Sequence, residues 1–312
     1  MKISDNAVNL LTALGYRGIG RKWVNDNLTG HPSVPEIVSR LSAKVPDVLE
    51  DEFLSRRALV LNRIQALGDA VDGVTGMGDD DFPAIIPGVK AADRPVALFY
   101  RGDLSLLDDR SRNVAVIGLL NPSEEIVEEE RKLVSNLISR GYRVVSGLAL
   151  GCDSVGHRET LALGGRTVAF LSSPLTEVNP PSNRPLAEEI VEKGGLLVSE
   201  YYEKAHSRTE FLGRYPERDR LQAMFVVQVV LAASYAPNAL GNDCGSRFAL
   251  DKAKAYGVSR AVLDPQGHVG DPMFDLNRAE LAAGARAVNV AIATGWEPST
   301  EGSVLRQASL WD

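Results

Sequence analysis

The stretch RVVSGLALGCDSVGH, residues 143–157, decides how this chain is read. RVVS (143–146) is a β-branched run, too short for a helix and closed at once by glycine, as a buried strand is. Gly147 and Gly151 permit a tight turn in which backbone can approach a ligand, and Asp153 or Ser154 is placed to cap the helix that follows. A strand passing through a glycine turn into a helix is the unit of an open α/β sheet, where ligands bind beyond the carboxyl ends of the strands.

Outward from that unit the alternation repeats. VAVI (114–117), TVAFL (167–171), LLVS (196–199), MFVVQVVLA (224–232) and AVL (261–263) read as further strands. Segments 123–140, 154–164, 184–194 and 246–257 carry helix-forming charges and end near Gly141, Gly164, Gly194 and Gly257, a repeated C-terminal stop. Six strands with helices between them predict an α/β fold: a Rossmann-like, doubly wound, mainly parallel sheet over 113–290. Residues 1–75 read as a small helical domain, with apolar positions such as Val8, Leu11 and Leu14 at helical spacing. The Gly-, Pro- and Asp-rich segment 76–112 reads as a connector packed on the main domain, with one strand ended by Gly102, and 291–312 as a polar tail.

Composition narrows the function. Two cysteines, Cys152 and Cys244, supply neither a disulfide framework nor a four-ligand zinc site and suit a reducing compartment. His31, His157, His206 and His268 show no metal-ligand spacing, so no metal and no cofactor is expected. No apolar run has signal-peptide or membrane-helix character, which predicts a cytoplasmic protein. The net charge of -7 argues against coating nucleic acid by bulk charge. It is uneven, however: 204–260 carries +4 and the remainder -11, which leaves room for a basic cleft.

SGLALGCDSVGH (146–157) closely resembles the SGLAxGIDxxxH signature of the DNA-processing protein A family, called DprA or Smf. DDDFPAIIPGVKAADRPVALFYRGDLSLL (79–107) is similar to that family's lead-in to its first strand. YPERDR (215–220) resembles its FPxRNR, CGSRFALDKAKAYG (244–257) its SG(S/T)xxTAxxAxxxG turn and helix, and DLNRAELAAGARAV (275–288) its closing segment. GYRGIGR (15–21) is similar to its N-terminal helix–hairpin–helix variant, in which Gly18 and Gly20 serve either a DNA backbone or a plain interhelix turn. The resemblance implies a non-catalytic, homodimeric protein that binds single-stranded DNA, shields it and loads a RecA-type recombinase. It also implies that Tyr215 stacks on a base while Arg218 and Arg220 hold phosphates or order their loop. An ion-pair network of these arginines with Glu217 and Asp219 is the structural alternative.

The departures are specific. Where the family's first strand ends in GSR, with an arginine on a DNA phosphate, this chain has Gly118, Leu119 and Leu120. The next helix opens with Glu124, Glu125, Glu128, Glu129 and Glu130, which reads as a solvated, well-capped face that repels phosphate. Asp219 stands in place of the family asparagine, and nothing like the C-terminal winged helix of many members follows. The candidate DNA- or nucleotide-binding set is Gly118, Ser146, Gly147, Gly151, Asp153, Arg214, Tyr215, Arg218, Arg220, Gly245, Ser246 and Arg247. Ser246 is equally an N-cap, and His157 and Cys152 read as buried packing residues. A nucleotide sensor or nucleotide-processing enzyme on the same core is the rival, although the PGGxGTxxE string of nucleotide phosphoribohydrolases is absent. A protein that keeps the fold for interaction alone is the third reading.

Overall fold

The computed structural model describes residues 1–238, 242, 245–290 and 298. Cys244 and, apart from Pro298, the tail expected over 291–312 lie outside them. The chain opens with β1 (Lys2–Ile3) and four helices, α1 (Asp5–Leu14), α2 (Arg21–Asn27), α3 (Val34–Ser42) and α4 (Glu50–Gln65). Ser4 caps α1, its side chain accepting from Ala7 N–H, and Ser33 with Glu36 forms a capping box on α3. Leu10, Val24, Ile37, Leu41 and Phe53 are buried between these helices. GYRGIGR forms the turn between α1 and α2, with Gly18 at φ +83°.

Two strands follow, β2 (Gly73–Gly76) and β3 (Ala97–Gly102), so the segment expected as a connector is built into the sheet. The helical unit joins the same sheet, because β1 pairs with β2 in parallel and β2 with β3 antiparallel. The main unit then runs β4 (Asn113–Ile117), α5 (Glu124–Ser139), β5 (Arg143–Ser146), α6 (Cys152–Ala162), β6 (Thr167–Leu171), α7 (Arg184–Glu192), β7 (Leu196–Ser199), α8 (Arg208–Met224) and β8 (Gln228–Leu231). It closes with α9 (Ser246–Ala255), β9 (Ser259–Leu263), α10 (Asp275–Ala282) and β10 (Arg286–Val288).

The ten strands form one sheet in the order β1-β2-β3-β7-β6-β5-β4-β8-β9-β10, parallel from β7 to β10, with β3 antiparallel to β7. From β4 the chain winds outward through β5, β6 and β7, then returns across α8 to place β8 on the other side of β4. That reversal is the switch point of a doubly wound sheet, and it opens a crevice beyond the carboxyl ends of β4 and β8. β4 is buried on both faces. Ala115 and Ile117 pack in the cluster containing Leu221, Met224 and Leu250, whereas Val114 and Val116 pack in the cluster containing Leu133, Val134 and Leu137. The predicted helix stops hold: Gly141, Gly164, Gly194 and Gly257 have φ between +69° and +76°, a conformation open to glycine without penalty.

Two readings need correction. MFVVQVVLA is not one strand, since Met224 ends α8 and only Gln228–Leu231 is extended. YPERDR is not a loop either; it lies inside the 17 residues of α8, with Pro216 within the helix. The glutamate face of α5 is solvated at Glu124, Glu125 and Glu128, but Glu130 is wholly buried. Burial raises the Glu130 carboxyl well above its ordinary range, and burial together with Glu130 does the same to the Cys152 thiol.

Candidate nucleic-acid interface

At the switch point lies a cleft of about 650 Å³. Its floor comes from the end of β4 (Ile117, Gly118) and the turn after β5 (Gly147, Ala149, Leu150, Asp153). One wall is α8, through Tyr215, Arg218, Asp219 and Gln222, and another is the start of α9, through Gly245, Ser246 and Phe248. Asn179, Pro180 and Pro181 close the side toward α7.

The structure therefore brings Gly118, Gly147, Asp153, Tyr215, Arg218, Gly245 and Ser246 to one place. The other candidates do other work. Ser146 is fully buried and its hydroxyl donates to Val116 O at 2.7 Å, tying β5 to β4. Gly151 takes φ +68°, and a Cβ there would run into the carbonyls of Leu119 and Leu120. Arg247 lies over the Phe248 ring at 4.2 Å rather than in the cleft lining.

The arginines of α8 hold the protein together. Arg220 is 1% exposed, with Glu200 at 2.7 Å and Glu217 at 3.5 Å. Arg214 donates to Glu203 O at 2.8 Å, pairs with Glu210 at 2.5 Å and lies 4.0 Å over the Tyr201 ring. Arg218 pairs through Nε with Asp219 at 2.9 Å and donates through Nη1 to Phe170 O at the end of β6. Its guanidinium lies where a Gly147 side chain would be, so Gly147 is small to admit Arg218 and not only a ligand. The ion-pair alternative thus describes these side chains, with Glu200 and Glu210 as additional partners.

The turn is also satisfied from within. Asp153 Oδ2 accepts from the N–H groups of Gly147 and Ala149 at 3.0 and 3.1 Å, so the donors a phosphate would seek are already engaged. Asp153 braces the turn instead of capping α6, whose N-cap is Gly151, while the Ser154 hydroxyl donates to Ala149 O. Asn183 donates to Leu148 O, Ala149 O and Ser154 Oγ, fixing the approach to α7 against the same turn. Ser246 is the first residue of α9 behind the N-cap Gly245, and its hydroxyl lies 3.3 Å from Gly118 O.

Charge in the cleft corrects the expectation of a basic groove. The ionisable residues lining it are Arg218, Asp153 and Asp219. Burial pushes the Asp219 carboxyl up to about 6 despite Arg218 beside it. Much of the basic excess in 204–260 is spent on internal pairs, including Lys252 with Asp93 at 2.9 Å. Exposed cations stand instead on a neighbouring cleft that shares Asn179, lined by Lys204 and Arg208. Arg208 has no side-chain partner among the described residues, whereas Lys204 pairs with Glu177.

Sequence reasoning missed the apolar character of the opening. Leu120, Leu150 and Leu212 are 44%, 45% and 53% exposed, and all three line the cleft with the half-buried Tyr215. It missed Gln222 as well, a lone amide in the apolar run LQAMF. Elsewhere His268, stacked on Phe274, lies 3.1 Å from Glu129 and 3.9 Å from Glu125. These three residues are too distant in sequence for any spacing rule to join them. His157 is the buried packing residue expected: Thr167 Oγ1 donates to Val144 O and accepts from His157 Nδ1 at 2.8 Å. Burial, with Arg218 nearby, lowers the His157 imidazole to about 3. No helix among the described residues is long and apolar enough to cross a membrane.

Comparison with known proteins agrees with this architecture. The Smf protein of Escherichia coli (strain K12) is 37% identical over 185 residues, 58% of this chain and 45% of that protein. The DNA processing protein DprA of Bacillus subtilis (strain 168) is 30% identical over 182 residues, 58% of each. The chain thus spans about half the length of these curated relatives. The X-ray structure of DprA from Streptococcus pneumoniae superposes with a TM-score of 0.70 at 22% identity, covering 97% of both chains. DNA processing protein A from Helicobacter pylori, described for its single-stranded DNA binding mode, gives 0.56 at 24% identity over 70% of this chain and 92% of its own. The model of the family described as DNA recombination-mediator protein A matches residues 73–291, from β2 through β10, and the chain belongs to that family.

Proposed function

We propose that this chain binds single-stranded DNA across the switch-point cleft and carries out no chemistry on it. The observation that carries this reading is the half-buried Tyr215 ring at a cleft mouth edged by exposed Leu120, Leu150 and Leu212. Unstacked bases gain about 1–3 kcal/mol each on such an aromatic surface, and a duplex cannot offer them. The backbone of the strand runs past Asn179 toward Arg208 and Lys204, where exposed cations meet phosphates without entering the cleft. In keeping with the family resemblance, the bound strand is shielded and passed to a RecA-type recombinase by a homodimer in the cytoplasm.

Fluorescence anisotropy of a labelled single-stranded oligonucleotide through a salt series tests the reading. Binding that weakens linearly in log–log form, with a shallow slope from few phosphate contacts, is expected. Absence of binding at low salt sinks it. The cleft volume of about 650 Å³ also fits a small nucleotide, in the range of roughly 300–1,000 Å³ typical of ligand pockets. Equilibrium dialysis against mononucleotides, with no oligonucleotide affinity, would select that second reading.

A further inference from the structure

The polar atoms that the protein leaves open in the cleft form a pattern. Asp153 engages Oδ2 with the turn and Asp219 engages Oδ1 with Arg218, which leaves Asp153 Oδ1 and Asp219 Oδ2 without a hydrogen bond among the described residues. Gln222 is 2% exposed and lines the cleft, yet its amide has no partner at either end, and its Nε2 is buried and unpaired. Arg218 contributes one further donor, Nη2, beside Asp219. Two carboxylate oxygens and an amide oxygen thus seek donors, against two nitrogens that offer them. Buried polar groups are almost always paired, so an unpartnered amide on the wall of a cleft marks a place where a ligand supplies the partner.

We propose that the cleft seats a nucleobase bearing an exocyclic amino group, with Asp153, Asp219 and Gln222 accepting its N–H donors, and that Gln222 is a specificity-determining residue. The inference rests on the DNA-binding reading and adds the base class. Cytosine sets an amino donor beside a ring-nitrogen acceptor, which matches the Oε1 and Nε2 of one glutamine amide while the second amino hydrogen meets a carboxylate. Adenine presents the same adjacent pair, and guanine presents its donors side by side. Thymine and uracil carry two carbonyl oxygens and one N–H, so seating them leaves a carboxylate oxygen desolvated against a carbonyl. Leu120, Leu150 and Leu212 exclude water from these contacts and raise the cost of a mismatch.

The test compares equal-length homopolymers of deoxycytidine and deoxyuridine, which differ at ring position 4 and lack the thymine methyl. Anisotropy is measured well above the value of about 6 at which Asp219 titrates, with the parent, Gln222→Leu and Asp219→Asn. The parent is expected to bind the cytidine strand roughly tenfold more tightly, the effect of one unsatisfied buried group. Gln222→Leu should bring the two strands toward parity, with uridine binding retained. Its melting temperature should be unchanged or higher, since an unpaired buried amide is replaced by an apolar side chain. Equal affinity of the parent for both strands, or a preference untouched by Gln222→Leu, overturns the base assignment while the DNA reading stands. Failure to bind either strand overturns both.

Discussion

The three arginines of α8 and the three leucines at the cleft mouth stand in each other's expected places. Arg214, Arg218 and Arg220 are between 1% and 6% exposed, whereas Leu120, Leu150 and Leu212 are at least 44% exposed. A buried guanidinium is costly unless its donors are engaged, and each of these is engaged: Arg220 by Glu200, Arg214 by Glu210, Arg218 by Asp219 and Phe170 O. The arginines therefore fasten α8 to the ends of β6 and β7, and contact with a ligand falls to an aromatic ring, an apolar rim and a few open acceptors. Arginine in a nucleic-acid-binding motif is not by that fact a phosphate ligand.

Replacing Arg220 breaks this contrast most forcefully. Arg220→Ala leaves Glu200 buried without its cation, and losing one partner of a buried pair costs about 3–5 kcal/mol. Urea unfolding is expected to show that loss, with any fall in DNA affinity following from it. A variant of unchanged stability that no longer binds would return Arg220 to the ligand.

Beneath Arg218 the buried side of the comparison has an acid limit. His157 stays neutral in the fold down to about 3, while its free imidazole titrates at 6.5. The unfolded chain thus binds a proton that the folded chain refuses, and stability falls as pH drops from 6.5 toward 3. At about pH 5 the loss from this one group is roughly 2 kcal/mol. His157→Asn should flatten that part of the profile in urea midpoints taken across pH, and an unchanged slope would assign the acid sensitivity elsewhere.

On the exposed side, Tyr215→Ala removes the stacking surface and little else, since its ring otherwise meets Phe211 edge-on at 5.4 Å. A loss of about 1–3 kcal/mol in binding is expected, with the melting temperature nearly unchanged. Equal losses of stability and binding would place Tyr215 with the arginines instead.

The strands of the main unit were legible because each is a β-branched run between glycine stops, and the structure returns RVVS, TVAFL and LLVS with the bounds read from sequence. α8 was not, because Pro216 and six consecutive turn-like residues argue locally for a loop. Its helical state depends on partners far along the chain, such as Glu200 for Arg220 and Phe170 O for Arg218. The place of the site was legible in the glycine turn, but the role of Gly147 was not, since what fills the space beside it is Arg218, seventy-one residues away. Gln222 left only the signal of one amide in an apolar run, and whether such an amide is paired is decided by tertiary packing.

The smallest effect belongs to Arg208, and it separates the phosphate path from the base site. Arg208 is exposed at the first position of α8 behind the N-cap Ser207. A cation at a helix N-terminus opposes the helix dipole by about 0.3–1 kcal/mol, so Arg208→Ala should leave stability unchanged or slightly raised. If Arg208 neutralises one phosphate of a single strand, its loss makes the log–log salt dependence shallower by about 0.7 and weakens cytidine and uridine strands alike. Tyr215→Ala should do the opposite, lowering affinity with no change of slope, because stacking releases no counterions. Measured side by side, a slope that responds to Tyr215 and not to Arg208 would mean that the strand's backbone, rather than its bases, enters the cleft.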